Sequence, residues 1–92
     1  MIIKLPKPTK ADRIRFLLDY WDPCGMRKKA GPMFYNYEAE VLAQGIRKNS
    51  KVESVAKKVK EVIDEKLRQE GCDYTVDEDN ARRVAEAILN QL

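Results

Sequence analysis

The strongest constraint on the fold is an apolar stripe that lies between Ser50 and Gly71. Its members recur at the three- and four-residue spacing of one helix face, and they are Val52, Val55, Ala56, Val59, Val62, Ile63 and Leu67. Ser50 and Glu53 have the spacing of a capping box at the start, and Gly71 supplies a stop at the end. The sequence therefore predicts a long amphipathic helix whose apolar face must be covered by other elements.

Shorter stretches with the same period predict three more helices. The first covers about 10–21, with Thr9 as N-cap and Asp12 as its capping-box partner. The second covers about 36–48, and the last begins with another capping box and covers about 75–92. The predicted fold class is therefore all-α, a small four-helix bundle-like domain.

The 92 residues are enough for one hydrophobic core, so we predict a single domain over 1–92. Pro6 and Pro8 favour an extended N-terminal arm over 1–8. Residues 22–36 form the one long loop, between the first two helices, and we expect it to be exposed and mobile.

The chain contains no histidine, which excludes Ser-His and Cys-His nucleophiles, an imidazole base and histidine metal ligands. We therefore predict no catalytic residues, no resident metal, no cofactor and no enzymatic activity. A Mg²⁺ site formed by Asp22 with Glu38 or Glu40 is a weaker alternative, because carboxylates suit that ion but their proximity is unknown.

Cys24 and Cys72 are separated by 48 positions. We expect two free buried thiols, because no secretory segment is recognisable and disulfides are rare in reducing compartments; one disulfide is the alternative. No apolar run approaches the roughly 18–20 residues that span a bilayer. These features predict a cytoplasmic protein that does not enter membranes.

Five of the seven aromatic residues lie within the eighteen positions 20–37, close to a run of basic residues. Aromatic side chains beside arginine are typical of protein-binding hot spots, although they would also serve to pack the loop onto the bundle. We interpret the segment as a partner-binding site formed by Trp21, Asp22, Arg27, Lys28, Lys29, Phe34, Tyr35 and Tyr37. The predicted function is a non-enzymatic protein-binding module of the immunity or inhibitor type.

Charge is divided unevenly along the chain. Residues 1–60 contain 14 Lys/Arg and 6 Asp/Glu, whereas residues 61–92 contain 4 and 9. This division favours pairing between copies, so a homo-oligomer is a further hypothesis. It also supports an alternative function, nucleic-acid binding by a basic face formed by Arg47, Lys48, Lys51, Lys57 and Lys58. No register of this region fits a helix-turn-helix template.

The segment Trp21-Asp22-Pro23-Cys24-Gly25, followed by Tyr37-Glu38-Ala39-Glu40, resembles a family of small helical proteins of bacilli and their relatives. The shared pattern is W-D-P-x-G, then tyrosine, an acid and a second acid, and the similarity covers about 14–90. The resemblance implies a helical fold and a bacterial or phage setting, and it implies no established activity. The chain departs from the family in its longer basic 26–32 loop and in Tyr35-Asn36, where an acidic pair is typical.

Overall fold

The structure, a computed structural model, describes residues 8–92; the predicted arm over 1–8 therefore lies outside the described residues, apart from Pro8. The described chain is all-α, as predicted, and within it no strand occurs. Residues 8–92 contain five α-helices: α1 (Lys10–Trp21), α2 (Met26–Ala30), α3 (Asn36–Gly45), α4 (Val52–Gln69) and α5 (Glu78–Asn90).

The extra helix, α2, lies inside the segment predicted to be a mobile loop. A 3₁₀ turn at Pro23–Gly25 leads into it, so most of 22–30 is helical. The loop prediction is wrong there: the Asp22 carboxylate accepts from the amide of Arg27 at 2.9 Å in the first turn of α2, and a bond from Cys24 to Cys72 joins the preceding turn to a distant segment. The remaining helices match the predicted ones, although α3 ends at Gly45 rather than near 48.

Side-chain hydrogen bonds cap the start of α1 and of α5 but not of α2, α3 or α4, and only the capping box predicted at Thr9 is confirmed. The Thr9 hydroxyl accepts from the Asp12 amide (3.1 Å) while the Asp12 carboxylate accepts from the Thr9 amide (3.0 Å). The capping box predicted at Ser50 is wrong, because its hydroxyl accepts instead from the amide of Arg47 at 2.9 Å. The N-cap of α4 is Lys51, whose side chain makes no capping bond.

The last helix begins later than predicted. Asp77 is its N-cap, and its carboxylate accepts from the amide of Asn80 at 2.8 Å. An aspartate at this position satisfies one of the free amides of the first turn and complements the helix dipole. The capping box predicted to begin this helix at Thr75 is therefore wrong: the N-cap lies two residues later, and it is capped by the Asp77 side chain alone.

The core forms where the two helix pairs meet. Helix α4 packs most extensively against α5, and α1 packs against α3. Buried apolar side chains come from all four long helices and the links, and they include Ile14, Leu18, Tyr35, Leu42, Ile46, Val55, Val59, Ile63, Leu67, Val76, Ala85 and Ile88. The apolar stripe predicted between Ser50 and Gly71 supplies Val55, Val59, Ile63 and Leu67 to this core.

The C-terminus of α3 is closed by two lysines from other helices. Lys58 of α4 donates to the carbonyl of Gly45 at 2.6 Å, and Lys10 of α1 donates to the carbonyl of Ile46. Cations are favoured at this end of a helix because its last carbonyls lack intrahelical partners. The contact with Lys10 also places the start of α1 beside the end of α3, so the two helices are antiparallel.

The link between α4 and α5 is fastened at Val76. Its amide donates to the carboxylate of Asp64 at 2.7 Å, and its carbonyl accepts from the ammonium of Lys60. Lys60 and Asp64 lie one turn apart on α4 and pair with each other at 3.0 Å. The Val76 side chain is fully buried. One turn of α4 therefore fixes where α5 can begin.

Cys24 and Cys72 form a disulfide, so the expectation of free thiols is wrong. The 3₁₀ turn after α1 places Cys24 against the link after α4, with the two Cα atoms 6.8 Å apart, which is within bonding range. The expectation of free thiols rested on the reducing compartment predicted for the protein. That argument says nothing about whether the fold brings Cys24 and Cys72 close together. Among the described helices, none combines the length and the apolar character needed to cross a membrane.

Candidate protein-binding surface

Asp22 ends α1 and starts the turn that follows. It adopts a left-handed conformation (φ 37°), and its amide donates to the carbonyl of Leu18 at 2.8 Å. One carboxylate oxygen accepts from the Arg27 amide (2.9 Å) and from the Tyr35 hydroxyl (3.1 Å). Asp22 therefore connects α1 to α2 and to the residue before α3. This structural role explains an aspartate at position 22 without any contact to a binding partner.

The structure separates the predicted aromatic residues into two groups. Tyr35 is fully buried and Phe34 is 8% exposed, with their rings edge to face at a centroid distance of 4.8 Å. Trp21 is partly buried and packs against the core. Tyr20 and Tyr37, in contrast, are 93% and 73% exposed. In this conformation Phe34 and Tyr35 have no ring face to offer a partner.

Burial also changes the chemistry of the Tyr35 hydroxyl. Desolvation raises its pKa far above the usual value, and the negative charge of Asp22 raises it further. Tyr35 is therefore a neutral hydrogen-bond donor at any ordinary pH, with a structural role.

Glu38, one turn after Tyr35, is also buried. It is only 6% exposed, and among the described residues its Oε1 has no hydrogen-bond partner.

Phe16, Tyr20, Pro32 and Met33 form what we call the aromatic surface. They line one open cleft between the outer face of α1 and the segment before α3. Phe16 is 54% exposed and Met33 is 64% exposed. The binding site predicted from the sequence includes none of these four residues. The available signal was the four-residue spacing of Phe16 and Tyr20, which puts them on the face of α1 away from the core.

Arginine side chains border the aromatic surface. The Arg15 guanidinium lies 5.4 Å from the centroid of the Phe16 ring, within range of a cation–π contact. The Arg27 Nε lies 3.7 Å from Asp19 Oδ1. Burial raises the pKa of Asp19, and the nearby Arg27 partly opposes that rise. Lys28 and Lys29 follow on α2, exposed and without an ion pair to any described residue. Because Arg15 and Arg27 each lie within ion-pair distance of an aspartate, the excess positive charge beside the surface comes from Lys28 and Lys29.

Of the five basic residues proposed for nucleic-acid binding, Lys57 lies apart from the others. Arg47 and Lys48 are exposed in the turn between α3 and α4. Lys48 lines a cleft together with Lys10 and Arg13 of α1, which the sequence interpretation did not include. Lys57, in contrast, lines a groove with Glu53, Glu78, Asp79 and Arg82 on the side of α5. Lys57 is therefore separated from the others by its acidic neighbours.

No three acidic or cysteine side chains within residues 8–92 are placed to hold a metal ion. Glu38 is buried whereas Glu40 is exposed. A Mg²⁺ site formed by Asp22 with only one of these glutamates stays a prediction.

The candidate site is therefore the exposed aromatic surface on α1 and the segment before α3, bordered by Arg15 and Arg27. Comparison with protein-family models, curated proteins and solved structures finds no match to this chain.

Proposed function

We propose that the protein is a non-enzymatic protein-binding module and that its aromatic surface contacts the partner. The observation that carries this proposal is the exposure of Phe16, Tyr20 and Met33 in one cleft. Large apolar side chains exposed singly are ordinary, but a contiguous group with polar neighbours is typical of an interaction site. Tyr and Met are also enriched in protein interfaces.

Charge indicates the chemistry of the partner. Arg15 and Arg27 border the surface, and Lys28 and Lys29 extend the positive charge along α2. Complementary potentials speed association and suppress incorrect partners. The partner therefore presents an acidic segment with apolar or aromatic anchors that enter the cleft. An immunity or inhibitor role fits this description, because such a protein acts by covering a surface and needs no reactive group of its own.

The proposed site differs from the residue set expected from the sequence. Tyr37 is exposed at the same end of the antiparallel α1–α3 pair and extends the proposed contact. Trp21 and Asp22 support the surface from inside, and Phe34 and Tyr35 pack beneath it. Substitution of these supporting residues would disturb folding, so they are poor probes of binding.

The test is affinity capture from a native lysate with matched variants. F16S/Y20S removes the two exposed rings of α1, and both positions are open enough for the fold to be retained. Y74S is the control, since Tyr74 is a partly exposed tyrosine outside the aromatic surface. The proposal predicts a captured protein that F16S/Y20S loses and Y74S keeps. Identical captured proteins from wild type and F16S/Y20S, with both folded by circular dichroism, would rule out this surface.

The bacterial or phage setting implied by the family resemblance, and a cytoplasmic location, belong to the same proposal. The Cys24–Cys72 disulfide weighs against the cytoplasm, where thiols are normally kept reduced. Alkylation of thiols at the moment of cell lysis, followed by mass spectrometry, decides the point. A chain isolated with both cysteines already joined removes the cytoplasmic proposal.

We also propose weak self-association, based on the excess of basic residues over 1–60 and of acidic residues over 61–92. Attraction between exposed charges falls as salt screens them. Sedimentation at 20 and 300 mM salt should show a dimer fraction that is lost at the higher salt. A monomer independent of concentration at both salts contradicts it.

A further inference from the structure

A second charged region lies at the opposite end of α1 from Tyr20. Here the first turns of α1, the turn between α3 and α4 and the start of α4 meet. We call the cationic side chains at this end the basic patch: Lys10, Arg13, Arg47, Lys48, Lys51 and Lys58.

Hydrogen bonds and a shared cleft show that these cations are close together. Lys58 and Lys10 donate to the carbonyls of Gly45 and Ile46, which are consecutive residues. Arg47 comes next in the chain. Two long side chains from different helices thus converge on two consecutive backbone carbonyls, immediately before the exposed turn.

The rest of the patch adjoins this point. Lys48 lines a cleft with Lys10 and Arg13. Arg13 donates to the carbonyl of Gln91 at 2.8 Å, so its guanidinium lies at the end of α5. Lys51 is the N-cap residue of α4. Each ammonium or guanidinium that binds a carbonyl keeps further donors free for a ligand.

The positive charge of the patch is not neutralised within the described chain. None of its six cations has a carboxylate of residues 8–92 within ion-pair distance, whereas Arg27, Lys60, Lys66, Arg68 and Arg82 each pair with an acid. The nearest acid along α1, Asp12, is engaged by the Thr9 amide and lies near Arg15. A cluster of this kind attracts a polyanion.

We propose that the basic patch binds the phosphate backbone of double-stranded nucleic acid without reading its sequence. The cleft that Lys10, Arg13 and Lys48 share is completed by Pro8 and Leu92, so it offers no aromatic ring on which an unpaired base would stack. Arg and Lys that contact phosphates supply affinity and position rather than sequence information. This function is independent of the aromatic surface, from which the patch is separated along α1.

The probe is a fluorescein-labelled 20-base-pair DNA duplex of mixed sequence, with binding followed by fluorescence anisotropy between 20 and 200 mM KCl. We expect binding at 20 mM salt. If three to five phosphates are neutralised, affinity should fall about 40- to 500-fold between 50 and 200 mM salt. No complex at 20 mM salt overturns the proposal.

Charge reversal in and outside the patch provides the matched comparison. R47E/K48E/K51E should weaken binding at least 30-fold, whereas K57E/R68E/R82E, with the same change in net charge, should weaken it less than five-fold. Those three control cations lie outside the patch and near acids. Equal losses in the two folded variants would show attraction to overall charge only and would overturn the assignment to the patch.

Two further arms separate alternatives. F16S/Y20S should bind the duplex as wild type does, which makes this result independent of the protein-binding proposal. Vesicles containing 30% phosphatidylserine should not compete with the duplex at equal anion concentration. Binding to these vesicles in the absence of duplex binding would assign the patch to a membrane surface and refute the present inference.

Discussion

Reduction of the Cys24–Cys72 disulfide should destabilise the fold by about 4 kcal/mol. The bond joins residues 48 positions apart. Closing a loop of that length removes about 14 cal/mol/K of entropy from the unfolded chain, which corresponds to about 4 kcal/mol at 25 °C. A domain of this size is ordinarily stable by only about 5–14 kcal/mol, so the disulfide should contribute a large fraction of the total.

Urea unfolding measures this contribution directly. With a slope of about 1–2 kcal/mol per M, the midpoint should fall by about 2–4 M when a reductant is added. Far-UV circular dichroism reports the helices, and the fluorescence of Trp21 reports the partly buried indole. Alkylation and mass spectrometry of each sample establish whether the thiols are free.

The matched variant is C24S/C72S. It should unfold at the midpoint of reduced wild type, and reductant should not move that midpoint. Serine at position 24 retains the positive φ of 69°, so the backbone strain there is the same in both proteins. If oxidised wild type and C24S/C72S unfold at the same urea concentration, the loop-closure argument is refuted.

Three smaller effects follow from individual hydrogen bonds. D64A should cost about 1–3 kcal/mol, because it leaves the buried amide at the end of the α4–α5 link without an acceptor, and D64N should recover part of the loss in the same urea assay. Y35F should cost about 1 kcal/mol, since its buried hydroxyl loses the bond to Asp22; a cost above 3 kcal/mol would contradict a purely structural role. The pKa of Asp12 is lowered from 3.8, chiefly by the hydrogen bond from the Thr9 amide, so its stabilisation is present above that pH and is lost as pH falls through the folded value. D12N should therefore be less stable than wild type at pH 7, and the difference should shrink as the pH falls below 3.8; a difference that does not change with pH would argue against the charge of Asp12 as its cause.

Helical periodicity predicted the parts of the fold that depend on local order. The stripe from Val55 to Leu67 is buried where it was expected, because an amphipathic pattern over five turns allows only one face to enter the core. The cap at Thr9 was also predictable, since both of its hydrogen bonds lie within four residues.

The features that sequence patterns missed depend on contacts between distant segments. The hydroxyl of Ser50 has two possible partners within one turn, and only the folded turn selects the amide of Arg47. The burial of Tyr35 depends on an acceptor thirteen residues earlier, at Asp22. The disulfide depends on the path of the α4–α5 link, which no local spacing specifies.

The sequence indicated where the candidate surface lies but not which residues form it. An aromatic concentration beside arginine indicated the same end of α1 as the exposed cleft, yet Phe34 and Tyr35 are buried whereas Phe16 and Met33 are exposed. Composition does not distinguish these outcomes, because each aromatic ring has enough apolar area to stabilise either a core or an interface.

The hydrogen bonds that hold the Val76 backbone against α4 also determine where the link between α4 and α5 can accept inserted residues. Cys72 and Val76 are fixed points, and the three exposed residues between them, 73–75, carry no such anchor. An insertion at 73–75 can loop outward and leave both ends in place. An insertion between Val76 and α5 would instead rotate the helix by about 100° and carry Ala81, Ala85 and Ile88 out of the core. Natural or engineered variation in length should therefore concentrate at 73–75.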